Sequence, residues 1–388
     1  MFLDALERQN SNLVAATLSL FSQGKLLPDT TVIDVDQLLE NAKAIKSEAN
    51  RYGVRLYAMT KQFGRNPLLA KMLIQECGYE GIVCVDFKEA RLMASYGLPI
   101  GNIGHLVQPP THMIPAILTE MKPEVVTVYS LEKARQISEA AQQAGRIQGI
   151  LLKFYRSTDH LYVNQESGFP IEKLESVVEA IAELPGVHIA GVTHFPCFLY
   201  SPEKKATAPT PNLTTLVEAK KRLKRLGIEC EQVNVPSSTC VDTISKLAEH
   251  GGTHGEPGHS LTGTFPANVD GTQTERVASL YLSEISHHYE HHSYCFGGGY
   301  YRRGMMANAF VVDGKERRRV SVFNDDKDSI DYHLRIPGHY PIGSPVIMAF
   351  RSQVFVTRSD VVLLRDVATP NPKVLAIFDA LGNEVAYG

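Results

Sequence analysis

"RLYAMTKQFGRNP", residues 55 to 67, decides how the chain is read. Largely apolar residues run up to Thr60 as a strand, Lys61 stands where the strand should stop, and a Gly64–Asn66–Pro67 break leads into a helix from Pro67. The unit is therefore strand, polar end, helix. The question is how often it recurs.

Outward in both directions the same rhythm continues. Upstream lie a strand "TTVIDV" (30–35) and a helix through Leu38, Leu39, Ala42, Ile45 and Ala49. Downstream, strand-like runs recur at "GIVCV" (81–85), "IGHLV" (103–107), "VVTVYS" (125–130), "GILLKF" (149–154), "HIAGVTHF" (188–195) and "CEQVNV" (230–235), with helix-patterned segments such as 130–145 and 172–184 between them. Around eight strands alternating with helices predict a parallel (β/α)8 barrel of the TIM type rather than an open sheet. Before it, residues 1–28 form a helical extension, with Leu3, Leu6, Leu13, Leu18 and Phe21 at helical spacing and a stop at Pro28. The barrel is expected over 29–270. Over 271–388, short alternating runs bounded by Gly, Pro and Asp predict a C-terminal antiparallel β domain.

Composition bounds the function. A net charge of −3 implies no nucleic-acid-binding surface, and no apolar run is long enough to span a membrane. The start "MFLDALERQN" lacks the basic and apolar regions of a signal peptide, so a cytoplasmic protein is expected. Six scattered cysteines without CxxC spacing read as reduced thiols rather than as a disulfide framework or zinc knuckle.

In a barrel of this kind chemistry sits at the carboxyl ends of the strands. Lys61 stands there, and partial desolvation would lower its pKa and make it a nucleophile for an aldehyde. His194 closes "GVTHF"; Asn234, Ser237, Ser238 and Thr239 follow "QVNVPSST"; Arg156 and His160 follow "LLKFYRSTDH". "GEPGHSLTG" (255–263) supplies a glycine-rich loop whose backbone N–H groups suit a phosphate. Each has a plainer reading as an ordinary loop or strand-end residue. Together they describe a site for a phosphorylated aldehyde cofactor.

On these residues the chain resembles the fold type III pyridoxal-phosphate enzymes, the group that contains alanine racemase, from residue 31 to about 365. "IDVDQLLENAKAIK" resembles the family's first strand and helix, and "AMTKQFG" the strand that delivers its Schiff-base lysine, implying Lys61. "IAGVTHF" implies His194 against the cofactor ring, and "VNVPSST" implies Ser237 or Ser238 on the phosphate. "GEPGHSLTG" aligns with the phosphate loop, implying Gly258 and His259 through their backbone amides. Where alanine racemase carries an arginine against the pyridine nitrogen, this chain has Glu256, and a carboxylate keeps that nitrogen protonated and the ring a stronger electron sink. "EPG" resembles ornithine and diaminopimelate decarboxylases of the same fold.

The resemblance implies pyridoxal 5'-phosphate as cofactor, an amino acid as substrate, and a homodimer whose β domains complete each other's active sites. A racemase needs a base on each face. Lys61 serves one, and "HSYCFGGGYYRRG" (292–304) implies Tyr294, with Tyr301 second, for the other. The decarboxylases' cysteine motif and their "GGG" before "EPG" are missing, which favours a racemase or epimerase over a decarboxylase. A lyase or aldolase acting on a hydroxylated D-amino acid is a further alternative. A non-catalytic pyridoxal-phosphate carrier is the last, against which the β domain counts. Arg156 is a candidate partner for a substrate carboxylate, though a salt bridge to Glu166 or Asp159 would serve equally. Arg302 and Arg303 suit an acidic substrate or plain surface charge. The run "HHYEHHSYC" (287–295), read as one strand, sets its metal-ligating groups too far apart for one ion, so no metal is expected.

Overall fold

The computed structural model describes residues 1–314, 316–324 and 330–387. The chain divides into two compact units, one of residues 44–60 and 70–258, the other of residues 1–43, 61–69 and 259–388.

The first unit is a closed barrel of eight parallel strands. Arg55–Met59, Gly81–Cys84, Ile100–Ile103, Val125–Val128, Gln148–Tyr155, Val187–Thr193, Gln232–Asn234 and His254–Gly255 pair in that order, and His254–Gly255 returns to Arg55–Met59. Two differences from the sequence reading offset each other. The strand predicted at 30–35 is not a barrel strand, and the strand that closes the barrel is the two-residue His254–Gly255 inside the glycine-rich stretch. The strand predicted at 103–107 runs instead over Ile100–Ile103, because Gly104 turns the chain with φ +91. Helices between strands start on side-chain caps: Asp86 accepts from the Glu89 N–H, and Ser130 from the Lys133 N–H.

The barrel's interior face identifies itself. Gln232 Nε2 donates to Tyr57 Oη (2.9 Å) and to Glu124 Oε1 (2.8 Å), reaching side chains of other strands through the lumen. A Cβ on Gly101 would lie 2.3 Å from the Tyr57 ring, so that ring fills the space glycine leaves.

The second unit is a largely antiparallel sheet. Thr30–Asp34 lies inside it, parallel to Asp360–Arg365 and antiparallel to Ser279–Tyr289. An apolar strand followed by a helix looks the same locally in either setting, and only long-range pairing separates them. The N-terminal helix, Leu3–Ser22, is part of this core rather than an appendage: Leu3, Leu6 and Leu13 pack with Val277, Leu280, Leu282, Phe310, Ile347, Val362 and Leu364. It kinks at Asn10, whose Oδ1 accepts from the Leu13 N–H (3.2 Å) and whose Nδ2 donates to Asp34 Oδ2 (2.9 Å) and to the Val277 carbonyl (3.1 Å). Strands His333–Pro337 and Lys373–Phe378 also belong to the sheet.

Candidate functional site

At the carboxyl ends of the barrel strands the interior layer is polar. Lys153 is aligned with Thr193, and Thr193 with Asn234, on three adjacent strands; aligned residues of paired parallel strands face the same way. Asn234 lies two residues beyond Gln232 and shares its interior face. On the strands before them, Thr127 Oγ1 donates to Asn102 Oδ1 (3.0 Å), and on the strand after them the chain continues into Glu256. A barrel built for stability alone fills such a layer with branched apolar side chains.

Glu256 is buried, its backbone N–H donating to Thr239 Oγ1 (3.0 Å) and its Oε2 lying 3.9 Å from His105 Nε2. Burial, with the Glu256 charge adding to it, pushes the Tyr129 phenol up to about 12 and raises the Cys197 thiol. Lys153 is 3% exposed; its Nζ donates to Ser167 Oγ (2.7 Å) and lies 5.4 Å from the Tyr129 ring centre. Burial pulls its amine down to about 8, against the raising charges of Cys197 and Asp159. Among the described residues the Thr193 hydroxyl and both ends of the Asn234 amide have no hydrogen-bond partner, although both residues are fully buried.

His194 is held in one tautomer. The Phe195 N–H donates to its Nδ1 (2.9 Å), so the ring proton sits on Nε2 and is given to Asp159 Oδ2 (2.8 Å). Burial lowers the imidazole pKa more than Asp159 raises it, which keeps the ring neutral. Burial pushes the Asp159 carboxyl up, but bonds from His194, the Arg156 N–H and Thr215 Oγ1 together hold it below its usual range.

Ser237 and Ser238 follow the seventh strand with φ of 91° and 54°. Two consecutive non-glycine residues in the left-handed region are costly, and such strain collects at ligand-binding turns. Their hydroxyls donate to the Phe198 carbonyl (2.7 and 3.3 Å), and the helix Val241–Glu249 begins three residues on. Gly258 ends the same unit; just before it, the Pro257 carbonyl accepts from the Met59 N–H (3.0 Å) at the end of the first strand.

Lys61, His259, Tyr294 and Tyr301 lie in the sheet unit. The chain leaves the first barrel strand at Thr60, whose hydroxyl donates to Glu89, and Lys61 opens the short turn Lys61–Phe63. His259 is buried: Arg351 Nε donates to its Nε2 (3.1 Å) and the Gln62 amide lies against its Nδ1 (3.2 Å). Burial, then the charges of Arg351 and Lys61, hold its pKa far below the ordinary value. A neutral ring accepting at Nε2 carries its proton on Nδ1.

Tyr294 stacks on His287 at 4.9 Å, and Tyr301 precedes the turn Arg302–Gly304 in which Arg302 and Arg303 are exposed. The histidine run is a hairpin rather than one strand: it turns at Glu290 (φ 50°), and His292 begins the return strand. His288 stacks on His339, His287 meets His333 edge-on, and Cys295 is buried. Among the described residues no group of three His, Cys, Asp or Glu side chains is placed to hold a metal ion, and no helix is long and apolar enough to cross a membrane. Arg156, in the barrel unit, turns its guanidinium to Glu218 (2.7 Å).

Sequence reading missed Lys153, Thr193, Asn102 and His105. Lys153 carried a signal: in "GILLKFY" it interrupts an apolar strand just as Lys61 ends one.

Residues 33–266 match the alanine racemase N-terminal domain family, and residues 280–374 the YhfX-like C-terminal domain. The chain is similar to the uncharacterized protein YhfX of Escherichia coli (strain K12), 51% identical over 99% of this chain and 100% of that one. Among solved structures it resembles D-threonine aldolase from Filomicrobium marinum (TM-score 0.69, 15% identity, 92% of this chain and 96% of that one). It also resembles alanine racemase of Clostridium difficile 630 in complex with cycloserine (TM-score 0.65, 16% identity, 91% and 98%). Those likenesses bear on the fold, and the sequence match bears on descent. The chain belongs to the alanine racemase-like, fold type III family, whose members depend on pyridoxal phosphate.

Proposed function

We propose that this protein is a pyridoxal-phosphate enzyme that moves the Cα proton of an amino acid, acting as a racemase or epimerase in a homodimer. The observation that carries the reading is the buried Glu256 carboxylate in the polar layer at the strand ends. A carboxylate at that place suits a protonated pyridine nitrogen, whose charge it can meet. The residues fit the cofactor in two further respects: consecutive left-handed serines present backbone N–H groups suited to a phosphate, and the buried Thr193 and Asn234 offer polar atoms that the protein itself leaves unsatisfied.

When bound, the cofactor supplies an electron sink for the charge left at Cα. Lys61 would hold it covalently through Nζ, and the same amine would serve as the base on one face of Cα. Ser237, Ser238, Gly258 and His259 are the residues that would hold its phosphate. His194, neutral and fixed by Asp159, would support the ring without competing for protons. Tyr294 of the second subunit, with Tyr301 as the alternative, serves the opposite face through its phenol oxygen. Arg156 would receive a substrate carboxylate only by giving up Glu218.

The test is an NMR screen of cofactor-loaded protein against L- and D-amino acids in D2O. Loss of the Cα–H signal with formation of the other enantiomer supports the reading and names the substrate. Release of carbon dioxide or of an aldehyde overturns it in favour of a decarboxylase or an aldolase. Borohydride reduction followed by mass mapping checks Lys61: a Lys61→Ala protein that still carries the reduced cofactor refutes its role.

A further inference from the structure

The proposed roles count Thr193 and Asn234 toward the fit of the cofactor but give Lys153 no part. Lys153, Thr193 and Asn234 stand side by side on three consecutive strands, facing the lumen, each at most 3% exposed. Burying an amine, a hydroxyl and an amide in one row is expensive, and among the described residues neither the Thr193 hydroxyl nor any polar atom of Asn234 recovers that cost through a hydrogen bond. Lys153 donates to Ser167, whose own hydroxyl proton goes to the Gln165 carbonyl. Asp159, whose charge acts on Lys153, is already bonded to His194, to Thr215 and to the Arg156 N–H.

We propose that Lys153, Thr193 and Asn234 form an oxyanion-binding row, a subsite for one anionic oxygen centre in the mouth of the barrel. The donor inventory argues for an anion. An ammonium has three N–H donors, a hydroxyl one and an amide two, while Asn234 Oδ1 is the row's one dedicated acceptor. Charge-assisted bonds to an anionic oxygen are the strong kind, and a water-excluding lumen strengthens them. The Tyr129 ring, 5.4 Å from Nζ, favours the amine as a cation. Two sources share this chemistry. One is a carboxylate of the substrate; the other, which rests on the cofactor reading above, is the ring oxygen of pyridoxal phosphate.

Thr193→Val tests the row with an isosteric change, and Lys153→Met removes the charge while keeping the length. For each, the thermal midpoint without ligand is measured, together with dissociation constants for pyridoxal phosphate, for its analogue lacking the ring hydroxyl, and for acetate. The row predicts opposite signs: a higher midpoint, because an unsatisfied group is gone, and binding weaker by about tenfold. Weaker binding of pyridoxal phosphate but not of the deoxy analogue assigns the ring oxygen. Weaker binding of acetate alone assigns a carboxylate. Unchanged constants for every probe in both variants overturn the proposal and leave the row to water. Should wild-type protein fail to bind pyridoxal phosphate, the cofactor reading fails, and the acetate arm still decides the row. Should Lys153→Met not fold, Thr193→Val decides alone.

Discussion

Two buried side chains with opposite demands meet in His194 and Asp159. The imidazole must stay neutral, and the carboxylate must stay charged with neither oxygen left over; the geometry satisfies both by spending Asp159 on His194, Thr215 and the Arg156 N–H. Asp159→Ala strands the His194 Nε2–H and the Thr215 hydroxyl in a dry interior. It should cost about 2 kcal/mol or more in urea denaturation, and an unchanged midpoint would sink the assignment. Glu256→Gln keeps shape and removes charge. In the cofactor-loaded enzyme it should slow Cα–H exchange by at least about tenfold, if that charge stabilises the transition state by about 1.4 kcal/mol; exchange at the wild-type rate would remove Glu256 from the mechanism. Lys61, His194 and Glu256 were legible because each breaks an apolar or glycine-rich pattern at a strand end. Thr193 was not, since a threonine before a strand-end histidine is unremarkable until its neighbours across the sheet are known.

Elements were easier to detect than to place. Each strand–helix alternation was visible as a change of period, yet Thr30–Asp34 joined the sheet and His254–Gly255 closed the barrel. A two-residue strand has no period to read, and its existence depends wholly on partners on both sides. The N-terminal helix shows the same limit: its apolar spacing was legible, its kink was not. Asn10 supplies a cap inside the helix and ties it to Asp34 and Val277. Asn10→Ala should lower stability by about 2 kcal/mol, from a lost cap and a stranded carbonyl, as read by chemical denaturation; a loss under a few tenths would mean that the kink holds without the side chain. In the barrel, Gly101→Ala drives a methyl into the Tyr57 ring. It should cost about 1–3 kcal/mol by overpacking, whereas an unaffected variant would show that the ring has room to move.

Across the whole molecule, buried histidines couple stability to pH. Burial brings His254 down from 6.5 to about 4, and His194 and His259 are lowered as well. The unfolded chain binds these protons near pH 6.5 and the native state does not. Stability is therefore complete above about 6.5 and is lost as pH falls towards the native values. For His254 alone the fall to about 4 is worth about 3 kcal/mol, at 1.36 kcal/mol per pH unit. The thermal midpoint should drop clearly between pH 7 and 5, and a flat profile over that range would show that these rings protonate without unfolding.

What the sequence by itself determined was the local content: the period of each segment, the breaks between segments, and the polar residues set at strand ends, which also carry the family likeness. These depend on neighbours a few residues apart, so one chain displays them. Tertiary structure alone decided which strands close the barrel, that Lys153, Thr193 and Asn234 form one row, and that His194 is fixed by Asp159. Those relations join residues separated by tens to hundreds of positions, and their free energy comes from burial and pairing that exist only after the chain has folded.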